Sequence, residues 1–266
     1  LADGETRWVA VFGMILSGTS IVVLWRLVVG RGRGLLRSRE LRSYLAIMAV
    51  ATGLFLVWSG PTGGVDLREA LFTVSSAITT TGFPSDPMGE WSAALPVLLL
   101  LLVAIGPMTG SAGGGFQILR LRMLLNVAIR EMVRQLHPRV VARVRLGGRV
   151  AAESTVRQAT VAQFVFVAVL FVTALVVATL GLDIVEALSA SVHAVSTAGP
   201  VRALDGSILD PSGWPRPSRM ALLPAMVSGR LFLYPAAVAG GTLIIELGNQ
   251  LRLRRRWRRW RSYVSR

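Results

Sequence analysis

The sequence predicts an all-α membrane protein built from repeated units, each a membrane span, a short re-entrant helix and a second span. The first observation is composition: 53% of the 266 residues are hydrophobic and the mean hydropathy is +0.58, well above soluble domains. The second is that the apolar residues form five blocks of roughly 20 residues, which suits a bilayer core about 30 Å thick. The blocks lie near residues 8–29, 42–60, 92–106, 155–181 and 219–246. We therefore expect about five transmembrane spans.

The distribution of arginine predicts the orientation of these spans. All 29 basic residues are arginine, and 23 of them fall in residues 26–42, 120–157 and 252–266. A path with five spans places these three segments on the same side of the membrane. Under the positive-inside rule that side is the cytoplasm, so the chain starts outside. We expect a multi-pass protein of a bacterial inner membrane with its C-terminus in the cytoplasm.

The ends of the chain carry separate signals. The tail RLRRRWRRWRSYVSR places Trp257 and Trp260 among arginines, which indicates an anchor on anionic lipid; RNA binding is the alternative, and we expect no nucleic acid partner. The start, LADGETRW, is polar and lacks an initiator Met, so we expect a fragment. The absence of cysteine from the sequence excludes disulfides and thiolate metal sites.

An internal repeat is the third observation. LREALFTVSSAITTTGF (67–83) aligns without a gap with IVEALSASVHAVSTAGP (184–200), at an offset of 117 residues. The matches include Asp66 with Asp183, Glu69 with Glu186, and Gly82 with Gly199, and both copies continue to an Asp-Pro and a Trp. Repeats of this size in a membrane chain predict a pseudo-symmetric pore or transporter.

Each of the two aligned stretches contains a predicted helix of about 13 residues, at 66–78 and 183–195. A helix of this length is too short to cross a bilayer. Both start Asp-x-x-Glu, a pattern typical of helix N-terminal capping, and capping is favoured over ion binding for these four acids. Because external loops flank each segment, we expect two re-entrant pore helices whose C-terminal ends face the turns that follow.

The turns TTTGF (79–83) and STAGP (196–200) are rich in oxygen atoms and contain no carboxylate. Non-helical backbone at membrane depth is tolerated where protein or water covers it, and carbonyl oxygens there suit a weakly hydrated monovalent cation. Gly82 and Gly199 allow backbone angles that other residues rarely adopt. An ordinary Thr/Gly turn is the alternative. The candidate filter residues are Thr79, Thr80, Thr81, Gly82, Phe83, Ser196, Thr197, Ala198, Gly199 and Pro200.

SAITTTGF (76–83), VSTAGP (195–200), IGPMTGSAGGGFQILRLRMLLNVAIREMVRQLHP (105–138) and GRLFLYP (229–235) together resemble the Trk/Ktr/HKT superfamily of potassium transporters. The resemblance implies a K⁺ channel-like fold, with four span–pore helix–span repeats around one K⁺ path. It implies K⁺ ligands at Thr80, Thr81, Gly82, Thr197, Ala198 and Gly199. It divides the chain into the end of a second repeat (1–41), a third repeat (42–150), a fourth repeat (151–248) and a basic tail (249–266).

Residues 106–115, the glycine loop, cannot sustain a helix and interrupt the third apolar block. The resemblance implies that this loop is an intramembrane gate, with a buried Arg230 beside it. The candidate gate residues are Gly106, Gly110, Ser111, Gly113, Gly114, Gly115 and Arg230. A phosphate-binding loop is the alternative, but no Gly-Lys-Ser/Thr follows. The chain departs from the family at Gln117, often a Lys, and in the second turn.

The resulting expectation is K⁺ uptake without a catalysed reaction and without a cofactor, K⁺ being the transported ion. A Na⁺-conducting or weakly selective relative is the alternative, and a membrane-embedded lipid-modifying enzyme is a distant one because Glu40, Glu131 and Glu153 are scattered. The resemblance implies a homodimer, surrounding membrane lipids and a cytoplasmic nucleotide-binding regulatory subunit of the TrkA/KtrA type. We interpret His193 and His137 as structural residues.

Overall fold

The computed structural model describes residues 4–29, 38–59, 65–83, 92, 94–137, 145–146, 149–199, 201 and 207–231. In this part of the chain the α-helices are α1 (Gly4–Ser17), α2 (Ile21–Val28), α3 (Arg39–Trp58), α4 (Leu67–Ile78), α5 (Ala94–Ile105), α6 (Ile118–Leu136), α7 (Glu153–Thr179), α8 (Ile184–Val195) and α9 (Arg216–Leu231). A 3₁₀ turn spans Pro211–Gly213, and β1 (Arg145–Leu146) pairs antiparallel with β2 (Arg149–Val150). The fold is helical apart from this short hairpin, as expected. Leu1–Arg230 form one compact unit, and the contacts described below lie within it.

The described residues contain two helices that are long and apolar enough to cross a membrane, α3 with 20 residues and α7 with 27. A third candidate is α1 together with α2, which are bent by 106° at the break between them. The block over 8–29 is therefore not one continuous helix, because α1 stops at Ser17 and α2 starts at Ile21, and its crossing of the membrane stays a prediction. Gly18 is a poor helix former, and the Thr19 hydroxyl donates back to the Ile15 carbonyl at 2.8 Å. The full count of five crossings stays a prediction.

The two short helices lie where the repeat predicts them. α4 and α8 have 12 residues each and start directly after Asp66 and Asp183. The Asp183 carboxylate caps its helix by accepting from the Val185 N–H at 3.1 Å, whereas the Asp66 side chain makes no capping hydrogen bond. Glu69 is buried and forms an ion pair with Arg7 of α1 at 3.8 Å, so its main contact is with another helix.

α4 is the most enclosed helix in the described part of the chain. It packs against α1, α3 and α5, and nine of its 12 residues are buried. Its small alanine and hydroxyl residues allow this close approach. α8 packs in the same way against α7 and α5. The C-terminal ends of both short helices, Thr79 and Ser196, are buried as a result.

The predicted repeat boundaries agree with these elements only in part. The boundary at 41–42 falls inside the first turn of α3, and the boundary at 150–151 lies just before α7. The boundary at 248–249 lies outside the described residues. The division into repeats stays a prediction.

Candidate cation filter and gate

The turns after α4 and α8 end their helices with the same backbone hydrogen bonds. In each turn one N–H reaches the carbonyl three residues back and the next N–H reaches the carbonyl five residues back, which is the Schellman motif. The bonds are Thr80 N to Ala77 O (3.1 Å) and Thr81 N to Ser76 O (3.1 Å), then Thr197 N to Ala194 O (3.0 Å) and Ala198 N to His193 O (2.9 Å). All four obey the 117-residue offset, so the sequence repeat is also a backbone repeat.

A threonine occupies the left-handed position of each motif. Thr80 has φ of 55° and Thr197 has φ of 49°, where glycine is the usual residue. For a β-branched residue this conformation is an outlier that costs about 1–3 kcal/mol. Gly82 is also left-handed, with φ of 75°, whereas Gly199 does not have a positive φ.

The space around Gly82 and Gly199 explains why both are glycine. A Cβ atom built on Gly82 would overlap the Gly199 Cα, and one built on Gly199 would lie 2.8 Å from the Gly82 carbonyl oxygen. The two backbones are in direct contact, and no side chain fits between them. The repeat therefore brings its matched glycines together. Pro200 lies outside the described residues.

The Thr79 and Thr81 hydroxyl groups of the first turn form hydrogen bonds within α4 and the turn itself. The Thr79 hydroxyl lies 2.6 Å from the Ser75 carbonyl and 2.7 Å from the Thr81 hydroxyl. The Ser76 hydroxyl donates to the Phe83 carbonyl at 2.9 Å, and the Phe83 ring stacks on Phe72 with centroids 6.4 Å apart. These contacts hold the turn against α4.

The glycine loop lies directly against both turns. The Gly114 N–H donates to the Thr80 hydroxyl at 2.9 Å, and a Cβ on Gly114 would overlap the Ser196 carbonyl oxygen. A Cβ on Gly113 would lie 2.8 Å from the Thr79 carbonyl oxygen. The backbone of the loop thus lies so close to the ends of α4 and α8 that no side chain fits at Gly113 or Gly114.

The other predicted gate residues shape the loop. Gly106, Gly110 and Gly115 have φ of 69°, 76° and 78°. The Ser111 hydroxyl donates to the Met108 carbonyl at 2.7 Å. The loop returns to its start, since the Gln117 N–H donates to the Ile105 carbonyl at 2.7 Å. Gln117 is buried with φ of 69°, and its side-chain oxygen has no hydrogen-bond partner among the described residues.

The residues at the break between α1 and α2 also bind the glycine loop. The sequence did not predict this contact. Three backbone hydrogen bonds join them: Met108 N to Gly18 O (3.1 Å), Ala112 N to Ser17 O (3.2 Å) and Ile21 N to Gly110 O (3.0 Å). The available signal was the run of small residues SGTS (17–20) inside an apolar block.

Arg230 of α9 also reaches the loop, as the resemblance implied. Its Nη1 donates to the Ala112 carbonyl at 3.3 Å. The residue is exposed, so the expected burial of Arg230 was wrong. The guanidinium lies beside the loop because α9 is packed closely at Gly229, where a Cβ would overlap the Val195 carbonyl oxygen.

α6, which follows the loop, is joined to α7. Arg130 of α6 donates to both carboxylate oxygens of Glu153 at 3.0 Å and contacts Glu131 of its own helix at 2.9 Å. Phe116 packs edge-on against Phe166 of α7 with ring centroids 5.7 Å apart. The segment that follows the glycine loop is therefore joined to α7, which precedes α8 and the second turn.

The helix ends give the two turns a negative electrostatic character. The C-terminal ends of α4 and α8 bring the negative ends of two helix dipoles to the turns. The described residues contain no group of three or more His, Asp or Glu that could hold a metal ion. His193 is buried with Nδ1 at 2.8 Å from the Ser189 carbonyl oxygen, and His137 ends α6; both positions agree with structural roles.

A cavity of about 300 Å³ lies behind the turns, between α4, α5 and α8. Gly82, Phe83, Ala198 and Gly199 form one wall, and leucine and valine side chains of α5 form much of the rest. Thr73, Ser76, Ser189 and His193 add polar groups to the lining.

Two spanning helices, two short buried helices ending in matched oxygen-rich turns, and a glycine loop against both turns are the features of a membrane protein of the cation-transport class. The chain belongs to the TrkH family, described as cation transport proteins, whose family model matches residues 46–243.

Named relatives agree with this assignment. The chain is 34% identical over 173 residues to the Trk system potassium uptake protein TrkH of Halomonas elongata, covering 65% of this chain and 35% of that protein. It is 28% identical over 230 residues to TrkH of Salmonella typhimurium, covering 84% and 45%. The chain thus spans less than half the length of these relatives.

The fold also matches a solved structure. The crystal structure of the potassium transporter TrkH from Vibrio parahaemolyticus superposes with a TM-score of 0.81 at 22% identity, over 90% of this chain and 52% of that one. At this identity the match establishes the fold alone.

Proposed function

We propose that this chain is part of a K⁺ uptake transporter in which the ion passes the two turns and moves down its electrochemical gradient. An inside-negative potential contributes about 2.3 kcal/mol per charge per 100 mV, which is sufficient to drive uptake. No reaction is catalysed and no cofactor is needed. The observation that carries the proposal is that two turns with identical helix-ending hydrogen bonds both contact one glycine loop.

The proposed K⁺ ligands are the carbonyl oxygens of Thr80, Thr81 and Gly82 in the first turn and of Thr197, Ala198 and Gly199 in the second. Carbonyl dipoles replace the hydration shell of K⁺ and bind it loosely enough for it to leave. Thr79, Phe83 and Ser196 flank these positions and hold the turns in place; the proposed filter also includes Pro200, which lies outside the described residues. Two turns surround an ion on two sides only, so we propose that two further turns of the same kind complete the ring.

The proposed gate is the glycine loop with Arg230. Gly113 and Gly114 lie against both turns, so the loop must leave Thr80 and Ser196 before an ion can pass. The flexible glycines Gly106, Gly110 and Gly115 at its bends permit that movement, and Ser111 and Arg230 support the closed position through Met108 and Ala112.

We further propose a homodimer, a cytoplasmic nucleotide-binding regulatory subunit and an inner-membrane location with the arginine-rich segments in the cytoplasm. One feature of α6 supports a protein partner. Four large apolar side chains on one face of this polar helix are exposed: Leu125, Ile129, Met132 and Leu136.

A Na⁺-conducting or weakly selective transporter is the second candidate. The observation in its favour is that the turns are not equivalent at their glycines, because Gly82 is left-handed and Gly199 is not. A difference in carbonyl direction between turns would weaken discrimination between K⁺ and Na⁺.

The test is Rb⁺ and Na⁺ flux through the intact protein in a host that lacks its own K⁺ uptake. Gly82→Ser should reduce Rb⁺ flux and the ratio of K⁺ to Na⁺ transport, because the new side chain would separate Gly82 from Gly199. Gly53→Ser is the control, since a Cβ at Gly53 meets nothing within 4 Å. Absence of any cation flux through the unmodified protein would overturn the proposal, and equal Na⁺ and K⁺ flux would favour the second candidate.

A further inference from the structure

Glu40 makes a contact that neither the repeat nor the filter explains. Its Oε1 accepts a hydrogen bond of 2.7 Å from the backbone N–H of Thr109, a loop residue 69 positions away in sequence. Glu40 lies in the first turn of α3, after Ser38, whose hydroxyl caps that helix by accepting from the Leu41 N–H at 3.4 Å. Since Ser38 already caps α3, the Glu40 carboxylate is directed to the loop.

The same carboxylate lies close to the start of α6, the helix that follows the loop. The backbone N–H of Leu119 and the guanidinium of Arg122, both in α6, favour the charged form of Glu40, whereas its burial opposes that form. α6 starts after Gln117, which provides no side-chain cap. An anion at this position faces the positive end of the α6 dipole. Glu40 therefore contacts the loop at Thr109 and lies near the first turn of the helix that follows it.

We propose that Glu40 is a positioning residue that fixes the glycine loop in its closed position. The inference rests on the proposed function, in which the loop is the gate. A hydrogen bond to an ionised acceptor is stronger than one between neutral groups. A loop held at Thr109 by this carboxylate cannot move away from α3 without breaking that hydrogen bond. Opening of the gate is then coupled to the position of α3 relative to α6.

The decisive variant is Glu40→Gln, which keeps the shape and one acceptor oxygen but removes the charge. The absence of cysteine from the sequence allows one reporter, Ser111→Cys, in the buried part of the loop. Its rate of reaction with a membrane-impermeant thiol reagent, applied to the cytoplasmic side of inside-out vesicles holding the intact protein, measures how often the loop opens. We expect Glu40→Gln to raise this rate about tenfold and Glu40→Ala to raise it further. Glu40→Asp should restore part of the protection.

Glu5→Gln is the matched control, because Glu5 is also an acidic residue in the first turn of a helix but is exposed. It should leave the rate unchanged. The proposal would be overturned if Glu40→Gln left the thiol reaction rate of the Ser111→Cys protein unchanged. It would also be overturned if Glu5→Gln raised that rate as much as Glu40→Gln. Glu40→Gln retains the volume of the side chain, so the test holds even if Glu40→Ala fails to fold.

Cation leak through the same variants separates this inference from the proposed function. A raised thiol reaction rate together with raised Rb⁺ leak supports both. A raised reaction rate without cation flux in any variant supports the role of Glu40 in holding the loop and overturns the gate. A raised Rb⁺ leak with a parental reaction rate overturns the role of Glu40.

Discussion

The backbone N–H of Gly114 donates to the hydroxyl of Thr80 over 2.9 Å, and this bond joins the glycine loop to the first turn. Thr80 is also the residue that takes the unfavourable left-handed conformation in that turn. Glycine would adopt this conformation without strain but has no hydroxyl to offer the loop. The strained conformation at Thr80 is therefore compatible with a role of its side chain in joining the first turn, the proposed ion site, to the glycine loop, the proposed gate.

The first prediction separates these two properties of Thr80. Thr80→Gly should change stability little, because the relief of about 1–3 kcal/mol of left-handed strain is offset by a similar cost of leaving the buried Gly114 N–H unpaired. It should also increase cation leak, because the Gly114 N–H loses its acceptor. Thermal unfolding and Rb⁺ leak from loaded vesicles measure the two effects.

Two other variants at this position serve as controls. Thr80→Ser keeps the hydroxyl and should keep the leak near the parental level. Thr80→Val keeps the branched shape without the hydroxyl, so it should leak more and gain no stability. A Thr80→Gly protein that is less stable and does not leak would contradict this account of the turn.

The short helices could be predicted because their limits occur twice in the sequence. Asp66 and Asp183 mark both starts, and the structure begins α4 and α8 at the next residue. The glycine loop was predictable for a similar local reason, since so many glycines beside Pro107 cannot remain helical. In each case the deciding residues are neighbours along the chain.

The contacts of the loop could not be derived from the local pattern of residues, because they join residues far apart in sequence, and only the family resemblance placed Arg230 beside the loop. Glu40 and Thr109 are 69 positions apart, and Arg230 and Ala112 are 118 positions apart. The break at Gly18 was missed because a few small residues in an apolar block are compatible with a continuous span. The left-handed threonines contradict the local preference of the residue, so only the structure shows them.

The second prediction concerns the close approach of Gly114 to the second turn. Gly114→Ala would place a methyl group on the Ser196 carbonyl oxygen, so the loop must move or the turn must shift. We expect a loss of about 1–3 kcal/mol in stability, as is usual for overpacking, together with increased Rb⁺ leak.

Gly13→Ala is the control for this prediction. Gly13 lies in α1, where an added Cβ would meet nothing within 4 Å, and alanine is the better helix former. The same substitution there should stabilise the protein by roughly 0.5–1 kcal/mol and leave the leak unchanged. If Gly114→Ala behaves like Gly13→Ala, the loop does not lie against Ser196.

The third prediction tests the break between α1 and α2 through Gly18 and Tyr44. Tyr44 is fully buried, and its hydroxyl has no hydrogen-bond partner among the described residues. A Cβ on Gly18 would lie 2.6 Å from that hydroxyl and 2.8 Å from the Thr79 methyl group. Tyr44→Phe should therefore be neutral or stabilising by up to about 1 kcal/mol, since it removes an unpaired buried hydroxyl.

Gly18→Ala should destabilise the protein by about 1–3 kcal/mol, because the new methyl group meets both side chains. Adding Tyr44→Phe to Gly18→Ala should recover part of that loss, since the nearest remaining ring atom lies 3.2 Å away while the Thr79 contact persists. Thermal unfolding of the two single variants and the double variant gives the coupling free energy, which we expect to be about 0.5 kcal/mol or more. If the changes in unfolding free energy of the two single variants simply add, Tyr44 of α3 does not pack against Gly18 at the break. In that case the backbone bonds of Ser17 and Gly18 to the glycine loop, rather than packing by Tyr44, would set the position of the bend.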